Sequence, residues 1–275
     1  MSTELSVVSF SGGIDSGAVF LITHHVMQRM GTPLSRLKAF TLNLGGGADV
    51  DQARSFLAQT GHALFLEEMQ ASIHDVRVEE VLKTIEDYKP LDVECAAMGL
   101  LLHRCIRAQY PGWTYLVDGD GGDENLKDYP IEENPELTIK SVLHNQMLYH
   151  EGWGVGKIKH SLTYSGGLSR SYTRTYAPGK SLGFEGFSPF TRPAVIRVSE
   201  GIPYIDLTDY HHGKLYDLKG DIVARGVKAV TGIEMPIFKK RRFQHGAISK
   251  AKLRGAITNN EQRLRRQFNA LYEVF

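Results

Sequence analysis

The feature that most constrains the fold is a strand, a glycine turn and a helix near the start of the chain. Residues 5–10 are apolar and rich in β-branched side chains, as in a buried strand. Ser11, Gly12 and Gly13 interrupt this pattern, and apolar residues at helical spacing then continue to about Met30. A strand that enters a helix through so tight a turn is typical of a layered α/β protein, because the helix returns across the sheet.

The same alternation of strands and helices continues as far as residue 130. Buried strands that alternate with helices of this length favour a parallel sheet that is covered on both faces. We therefore predict an α/β fold with a parallel sheet flanked by helices. Further strands are predicted at residues 37–44, 63–66 and 113–117, and further helices at residues 50–61, 73–87 and 93–109.

Beyond residue 130 the pattern is less regular. Helices are predicted at residues 136–150, 214–230 and 259–272, whereas residues 152–188 are rich in Gly, Ser and Tyr. We therefore divide the chain into an α/β core over residues 1–130 and a mainly helical C-terminal region. That region, residues 131–275, is expected to complete the substrate site.

Composition narrows the class of protein. The chain has 32 Lys and Arg against 31 Asp and Glu, which gives a formal net charge of +1. Nucleic-acid-binding proteins usually carry a basic excess, so the charge balance argues against one. Cys95 and Cys105 lie ten positions apart in a predicted helix, too far apart for a redox CxxC pair, and two cysteines make no zinc cluster. The first residues lack a signal-peptide pattern and no apolar run reaches the length of a membrane span, so we expect a cytoplasmic protein and no membrane partner.

The residues of the first glycine turn suit a phosphate group. Backbone N–H groups at a helix N-terminus bind anions, and the hydroxyls of Ser11 and Ser16 would add two donors. Asp15 would repel a bare phosphate, but a carboxylate beside phosphates can hold Mg²⁺. An ordinary turn capped by Ser and Asp is the alternative for this segment taken alone, since it matches neither a Walker A loop nor a GxGxxG fingerprint.

A second glycine-rich loop follows the strand predicted at residues 113–117. Asp118, Asp120, Asp123 and Glu124 lie within seven residues that also contain three glycines. Such a group of carboxylates is unfavourable unless a cation or a functional requirement holds it together. The EF-hand spacing is missing, so a magnesium loop and a solvated acidic turn are the interpretations that remain.

Four motifs, in the same order along the chain, resemble those of one enzyme family. SGGIDS at residues 11–16 resembles the pyrophosphate loop of the N-type ATP pyrophosphatases, and DGDGGDE at residues 118–124 resembles the SGEGSDE of asparagine synthetases. GFEGFSPF at residues 183–190 resembles GxExRxPF, and KRRFQHG at residues 240–246 resembles KxxFxxG. The chain is thus similar to the synthetase domain of asparagine and β-lactam synthetases. This resemblance implies the PP-loop fold, which is adenine nucleotide alpha hydrolase-like.

The resemblance also implies ATP and Mg²⁺ as cofactors. In the family, the SGGxDS loop binds the two phosphates that leave as pyrophosphate, and one aspartate from each glycine loop binds the metal. Those aspartates correspond to Asp15 and Asp123, and the adenosine pocket corresponds to parts of the second strand and of the acidic loop. The residues assigned to the nucleotide are Ser11, Gly12, Gly13, Asp15, Ser16, Leu42 and Gly119.

The implied reaction has two steps. A substrate carboxylate attacks the α-phosphorus of ATP, pyrophosphate leaves, and ammonia or an amine then captures the acyl adenylate. Lys240 matches the family lysine that stabilises negative charge at the reacting centre. Asp120 and Glu185 are expected to converge, so that one accepts a proton from the amine while the other orients it.

Several features leave the substrate and the nitrogen source open. Asp118 stands where the family motif begins with Ser, and Phe187 stands in place of the motif's Arg. We expect no glutaminase domain before the synthetase strand, and therefore expect nitrogen from ammonia, from an amine substrate or from a separate glutaminase. The other partners expected are a small-molecule or peptide carboxylate and a second copy of the chain in a homodimer. A tRNA-modifying PP-loop enzyme and a non-catalytic nucleotide-binding homologue are the alternatives.

Overall fold

The centre of the fold is a five-stranded sheet in which every pairing is parallel. The computed structural model describes residues 6–45, 47–126, 172–203, 207–209, 211, 214–239 and 246–273. The strands are β1 Ser6–Ser9, β2 Leu37–Asn43, β3 Leu66–Gln70, β4 Tyr115–Val117 and β5 Glu185–Phe187. Their order across the sheet is β3-β2-β1-β4-β5, so the first strand lies in the middle.

Helices cover both faces of this sheet. Val7 and Val8 are adjacent and both fully buried, and they belong to different apolar clusters on opposite faces, as expected for a central parallel strand. The helices are α1 Ile14–Arg29, α2 Ala48–Gln59, α3 Val78–Ile85, α4 Pro90–Gln109, α5 Gly122–Asn125, α6 Ala177–Ser181, α7 Pro193–Glu200, α8 Leu215–Thr231, α9 Lys250–Ala256 and α10 Glu261–Tyr272. The predicted α/β fold with a parallel sheet and a helical C-terminal region is confirmed.

Each face has its own set of helices. On one face α1, α2 and α8 enclose a cluster that includes Phe10, Phe20 and Phe56, with rings in edge-to-face contact. On the other face α3, α4, α9 and α10 pack over a cluster that includes Phe40 and Leu101. The long helix α4 begins at Pro90 because proline suits the first turn of a helix.

Two predicted elements are each made of two shorter elements in the structure. The strand predicted at residues 63–66 is a 3₁₀ turn over Ala63–Phe65 followed by β3, and Leu64 in that turn is 94% exposed. The helix predicted at residues 73–87 is a 3₁₀ turn over Ile73–Asp75 followed by α3. The apolar pattern of this segment was assigned to one helix, although Ser72 caps a separate turn.

The C-terminal region contributes to the sheet as well as to the helical layers. β5 pairs with β4 in register from Glu185 opposite Tyr115 to Phe187 opposite Val117. The sheet therefore extends across the predicted division at residue 130. The helices predicted at 214–230 and 259–272 correspond to α8 and α10, while the helix predicted at 136–150 lies outside the described residues.

The topology places both glycine loops at one edge. β1 and β4 are neighbours and run in the same direction, so the loops that follow them both leave the carboxyl edge of the sheet. Ligands of open parallel sheets bind at this edge. Within the described ranges, no helix is both long enough and apolar enough to cross a membrane.

Candidate active site

The turn after β1 is held tightly against α2. Gly12 has a φ of 71°, and a Cβ on it would lie 2.9 Å from backbone atoms of Gln52 and Ala53. The Gln52 side chain donates a hydrogen bond of 3.1 Å to the carbonyl of Ser11. Only glycine combines this backbone conformation with so close an approach.

Two serine hydroxyls line the same turn. Ser11 Oγ accepts a hydrogen bond of 3.3 Å from the N–H of Gly13, and Ser16 Oγ accepts one of 3.3 Å from the N–H of Ser11. The two hydroxyl oxygens are themselves 3.3 Å apart. Gly13 is the N-cap of α1 and has no side chain with which to cap the helix. The turn therefore offers hydroxyls and first-turn N–H groups, the donors that bind phosphate at a helix N-terminus.

The acidic loop after β4 lies against the first turn of α1. A Cβ on Gly119 would lie 2.7 Å from the Cβ of Asp15, and a Cβ on Gly122 would lie 2.2 Å from Asp15 Oδ1. Gly121 between them has a φ of 86° and is the N-cap of α5. The glycines of the second loop thus allow its backbone to pack directly on the aspartate of the first.

A buried lysine joins the two predicted metal ligands. Lys219 on α8 is 1% exposed, and its Nζ lies 2.6 Å from Asp15 Oδ2 and 2.5 Å from Asp123 Oδ1. Asp15 comes from the SGG turn and Asp123 from the acidic loop, so one ammonium bridges carboxylates that are far apart in sequence. Burial of a lysine at this depth requires such charged partners.

This arrangement meets the requirement for a divalent cation. One oxygen from each carboxylate lies within hydrogen-bond distance of the Lys219 ammonium group. This group supplies the positive charge that a metal cation would supply there. In the described part of the chain, no group of three or more His, Cys, Asp or Glu side chains forms a metal site. A pair of carboxylates is what Mg²⁺ uses when substrate phosphates supply further ligands. Asp15 and Asp123 therefore fit the metal that the motifs imply.

Lys219 was missed in the sequence, although a signal was present. Leu215, Val223 and Val227 are buried at spacings of four residues along α8, and Lys219 occupies the remaining place in that stripe. A lysine inside an apolar helix stripe is seldom buried without a partner. The stripe indicates that the lysine points inward, but only the fold shows which carboxylates it meets.

The first acidic residues of the second loop form a separate hydrogen-bonded group. Asp118 is 4% exposed and its Oδ1 accepts a hydrogen bond of 2.9 Å from the N–H of Asp120. Burial, followed by the neighbouring charge of Asp120, raises the pKa of the Asp118 carboxyl well above its usual range. Thr175 Oγ1 donates a hydrogen bond of 2.6 Å to Asp120 Oδ2, and Ser188 Oγ donates one to the carbonyl of Asp120. Asp120 is therefore fixed through both its side chain and its backbone.

The structure does not bring Glu185 to this group. Glu185 begins β5, lies opposite Tyr115 and is exposed, whereas Asp120 lies beyond the opposite end of the neighbouring strand. The expected convergence of Asp120 and Glu185 is therefore wrong in this structure. The reason is the parallel register, which places residues 185 and 115 side by side and leaves the residue after Phe187 level with Asp118.

Two further predicted residues, Leu42 and Gly119, lie in different surroundings. Leu42 lies one residue before the end of β2, and its side chain is 1% exposed within the apolar cluster beneath α4, so only its backbone approaches the carboxyl edge. Gly119 lies directly after Asp118, against α1. Lys240 lies outside the described residues, and its role stays a prediction.

The end of the KxxFxxG segment does lie near the site. A Cβ on Gly246 would lie 1.8 Å from Asp49 Oδ1, and a Cβ on Gly47 would lie 2.2 Å from the carbonyl oxygen of Ala247. Gly47 and Asp49 form the start of α2, just beyond the carboxyl end of β2. The last residue of this motif therefore lies at the same edge of the sheet as both glycine loops.

Comparison with known proteins agrees with the motifs. A family model described as asparagine synthase matches residues 2–213, which include both glycine loops and all five strands of the sheet. A search of curated proteins finds no relative that matches. The family match covers more than half of the chain, and this family consists of ATP-dependent ligases that form amides. On the strength of that match, supported by the parallel sheet and the paired glycine loops, the chain belongs to the asparagine synthase family.

Proposed function

We propose that the protein is an ATP- and Mg²⁺-dependent ligase that joins a carboxylate to ammonia or an amine and releases AMP and pyrophosphate. The observation that carries this proposal is the convergence of Asp15 and Asp123 on one positive charge beside a turn rich in phosphate donors. Membership of the asparagine synthase family supports the amide-forming chemistry. Adenylation and the metal are the specific parts of the proposal.

In the first step an oxygen of the substrate carboxylate attacks the α-phosphorus of ATP. The bond from the α-phosphorus to the bridging oxygen breaks, and pyrophosphate leaves. The turn from Ser11 to Ser16 would hold the departing phosphates through hydroxyl and backbone N–H groups, and Asp15 and Asp123 would hold Mg²⁺. When bound, this metal neutralises charge on the phosphates and makes pyrophosphate a better leaving group.

In the second step the nitrogen attacks the acyl carbon. The nitrogen loses a proton, the bond from the acyl carbon to the phosphate oxygen breaks, and AMP leaves with the electron pair. Asp120 is the carboxylate proposed to accept this proton, and the hydrogen bond from Thr175, which fixes its orientation at the carboxyl edge of β4, supports this role. Lys240 is assigned from its motif to stabilise negative charge in both steps.

The two cysteines argue against one of the alternatives, an enzyme that thiolates a tRNA base. Such chemistry needs a thiolate, and burial raises the pKa of the Cys95 thiol to about 11. Burial also raises the pKa of Cys105, with a further contribution from Asp75. Both thiols are therefore protonated near neutral pH, and the ligase remains the better-supported proposal.

The decisive experiment follows oxygen from the carboxylate into AMP. A panel of carboxylic acids is first screened for pyrophosphate release in the presence of ATP and Mg²⁺, with and without ammonia or amines. The active acid is then prepared with ¹⁸O in its carboxylate. Adenylation predicts one labelled oxygen in the AMP product, because the attacking oxygen stays on phosphorus when the amide forms.

Two variants and two contrary outcomes complete this test. Asp15→Asn and Asp123→Asn are each expected to abolish pyrophosphate release while circular dichroism remains unchanged, because each removes one charge from the metal site. Unlabelled AMP would contradict adenylation of the carboxylate. Binding of ATP with no turnover for any acid or amine would favour the non-catalytic homologue.

A further inference from the structure

The bridge from Lys219 to Asp15 and Asp123 bears on how the metal enters the site. Lys219 Nζ is within 2.6 Å of one oxygen from each carboxylate, and the side chain is 1% exposed. Gly119 and Gly122 pack closely against Asp15 and limit its movement. Helix α8 packs against α1 next to the bridge. A Cβ on the adjacent Gly220 would lie 3.6 Å from Ile14, which shows how closely the two helices approach. The lysine is therefore part of the packed structure between α8 and the two loops.

The charges of this bridge indicate that Lys219 and a metal ion compete for the same two carboxylates. Two carboxylates and one ammonium carry a net charge of −1, and a divalent ion that took both carboxylates would lie within a few ångströms of the ammonium. Like charges at such a separation in a partly buried site repel strongly. A pair of carboxylates whose charge is half balanced by a lysine therefore binds Mg²⁺ weakly in the absence of further ligands such as phosphates.

A polyphosphate would change this balance. The triphosphate of ATP brings several negative charges to the turn of Ser11–Ser16, beside the same carboxylates. Both cations can then remain, because each has phosphate oxygens as well as a carboxylate for a partner. The lysine that weakens binding of the free metal would therefore favour binding of the metal together with the nucleotide.

We propose that Lys219 is a positioning residue that couples metal binding to nucleotide binding, by competing with free Mg²⁺ for Asp15 and Asp123. This inference rests on the proposed metal assignment, but it does not depend on which acid or amine the enzyme uses. It assigns Lys219 two effects. The residue stabilises the loops by joining them, and it keeps the carboxylate pair from binding a divalent ion unless phosphates are present.

The test measures metal binding by the nucleotide-free protein. Mn²⁺ is titrated into wild type and Lys219→Met, with free Mn²⁺ followed by electron paramagnetic resonance, and thermal unfolding is recorded with EDTA or with Mg²⁺. We expect Lys219→Met to bind Mn²⁺ at least about tenfold more tightly than wild type, since the competing charge is gone. We also expect the variant to unfold at a lower temperature in EDTA and to regain stability in Mg²⁺, because the ion replaces the lost bridge.

Matched variants show whether the effect belongs to this bridge. Lys228→Met removes the same charge from the same helix at an exposed position paired with Glu234, and should behave as wild type. The double variant Lys219→Met, Asp123→Asn should lose the gain in Mn²⁺ affinity. Equal Mn²⁺ affinity in wild type and Lys219→Met, or loss of stability that Mg²⁺ does not restore, would mean that the lysine is only structural.

A second comparison does not require Lys219→Met to fold. Asp123→Asn removes one carboxylate, so if the pair is closed to free metal, wild type and this variant should bind Mn²⁺ equally weakly without nucleotide. Clearly tighter binding by wild type would overturn the proposal. None of these titrations contains a carboxylate substrate, so failure of the ligase assay would leave their interpretation unchanged.

Discussion

Gly122 lies so close to Asp15 that a Cβ on the glycine would be 2.2 Å from the carboxylate oxygen Oδ1. A methyl group cannot occupy that space, so Gly122→Ala must displace either the aspartate or the acidic loop. We expect the variant to lose about 1–3 kcal/mol in the free energy of unfolding and at least about tenfold in pyrophosphate release. Urea denaturation and the pyrophosphate assay would measure the two effects.

Gly226 provides the matched control for this substitution. It lies within α8, and a Cβ on it would have nothing within 4 Å. Gly226→Ala should therefore raise the free energy of unfolding by about 0.5–1 kcal/mol through helix propensity, and leave turnover unchanged. Normal turnover in Gly122→Ala would show that the packing of the acidic loop on Asp15 is not needed for catalysis.

The sequence predicted the fold well where the local pattern and the tertiary packing agree. β1, α1 and β2 are short apolar or amphipathic segments separated by glycines, and their predicted boundaries differ from the observed ones by at most one residue. β5 was not predicted, because its three residues, Glu185, Gly186 and Phe187, have no apolar pattern and are all exposed. Its place in the sheet depends on pairing with β4, which is a long-range contact.

Only those site residues that lie in sequence motifs could be predicted from the sequence. Asp15 and Asp123 are assigned from the resemblance of two motifs, each of which lies in a glycine loop after a strand, and the parallel order brings these loops together. Lys219 and Thr175 lie in no motif and reach the site through the packing of α8 and of residues 172–176. Glu185 shows the reverse case, since it lies in a motif but the strand register separates it from Asp120.

The hydrogen bond from Thr175 to Asp120 gives a prediction about the second chemical step. Thr175→Val removes the hydroxyl at nearly constant volume and should lower amide formation by about tenfold to a hundredfold, because it releases the carboxylate proposed to accept the proton. Thr175→Ser keeps the hydroxyl and should retain most of the activity. Carboxylate-dependent exchange of labelled pyrophosphate into ATP, which reports the first step, should persist in both variants and in Asp120→Asn.

Glu185 is the comparison for Asp120. Because Glu185 is exposed at the start of β5, Glu185→Gln is expected to leave amide formation within about threefold of wild type, as for most surface substitutions. If Glu185→Gln instead loses amide formation while exchange continues, the motif predicts the role of this residue better than the strand register does. Equal loss of exchange and amide formation in Asp120→Asn would place Asp120 in the first step or in folding.

The buried carboxyl of Asp118 leads to a prediction about how stability changes as the pH rises above the unfolded pKa of an aspartate. Its pKa is raised by burial and by Asp120, so the folded protein disfavours the ionised form, and stability falls as pH rises from the unfolded pKa through the folded one. Asp118→Asn keeps the oxygen that accepts the N–H of Asp120 and cannot ionise. We expect Asp118→Asn to unfold at the same or a higher temperature than wild type at pH 8, whereas Asp118→Ala, which loses the acceptor, should unfold at a lower one.

His103 on α4 is expected to make the protein less stable as the pH falls, which is the opposite of the pH dependence expected from Asp118. The side chain is 1% exposed beside Phe184, and burial lowers its pKa to about 3. The unfolded chain, with an ordinary histidine pKa of 6.5, therefore takes up a proton that the folded chain rejects. Stability is fully present above pH 6.5 and falls as pH falls towards 3, by at most about tenfold in the folding equilibrium constant per pH unit from this one group.

His103→Gln separates this contribution from other acid-sensitive groups. Burial also lowers the pKa of His24 and His62, so the variant will still lose stability in acid. Glutamine carries no titratable proton, and whatever fixed cost it adds is the same at every pH. The difference in unfolding free energy between wild type and His103→Gln, measured by urea denaturation at pH 7.5, 6 and 5, should therefore shift steadily in favour of the variant as pH falls. A difference that stays constant over this range would show that His103 is not the neutral, buried group that the packing of α4 requires.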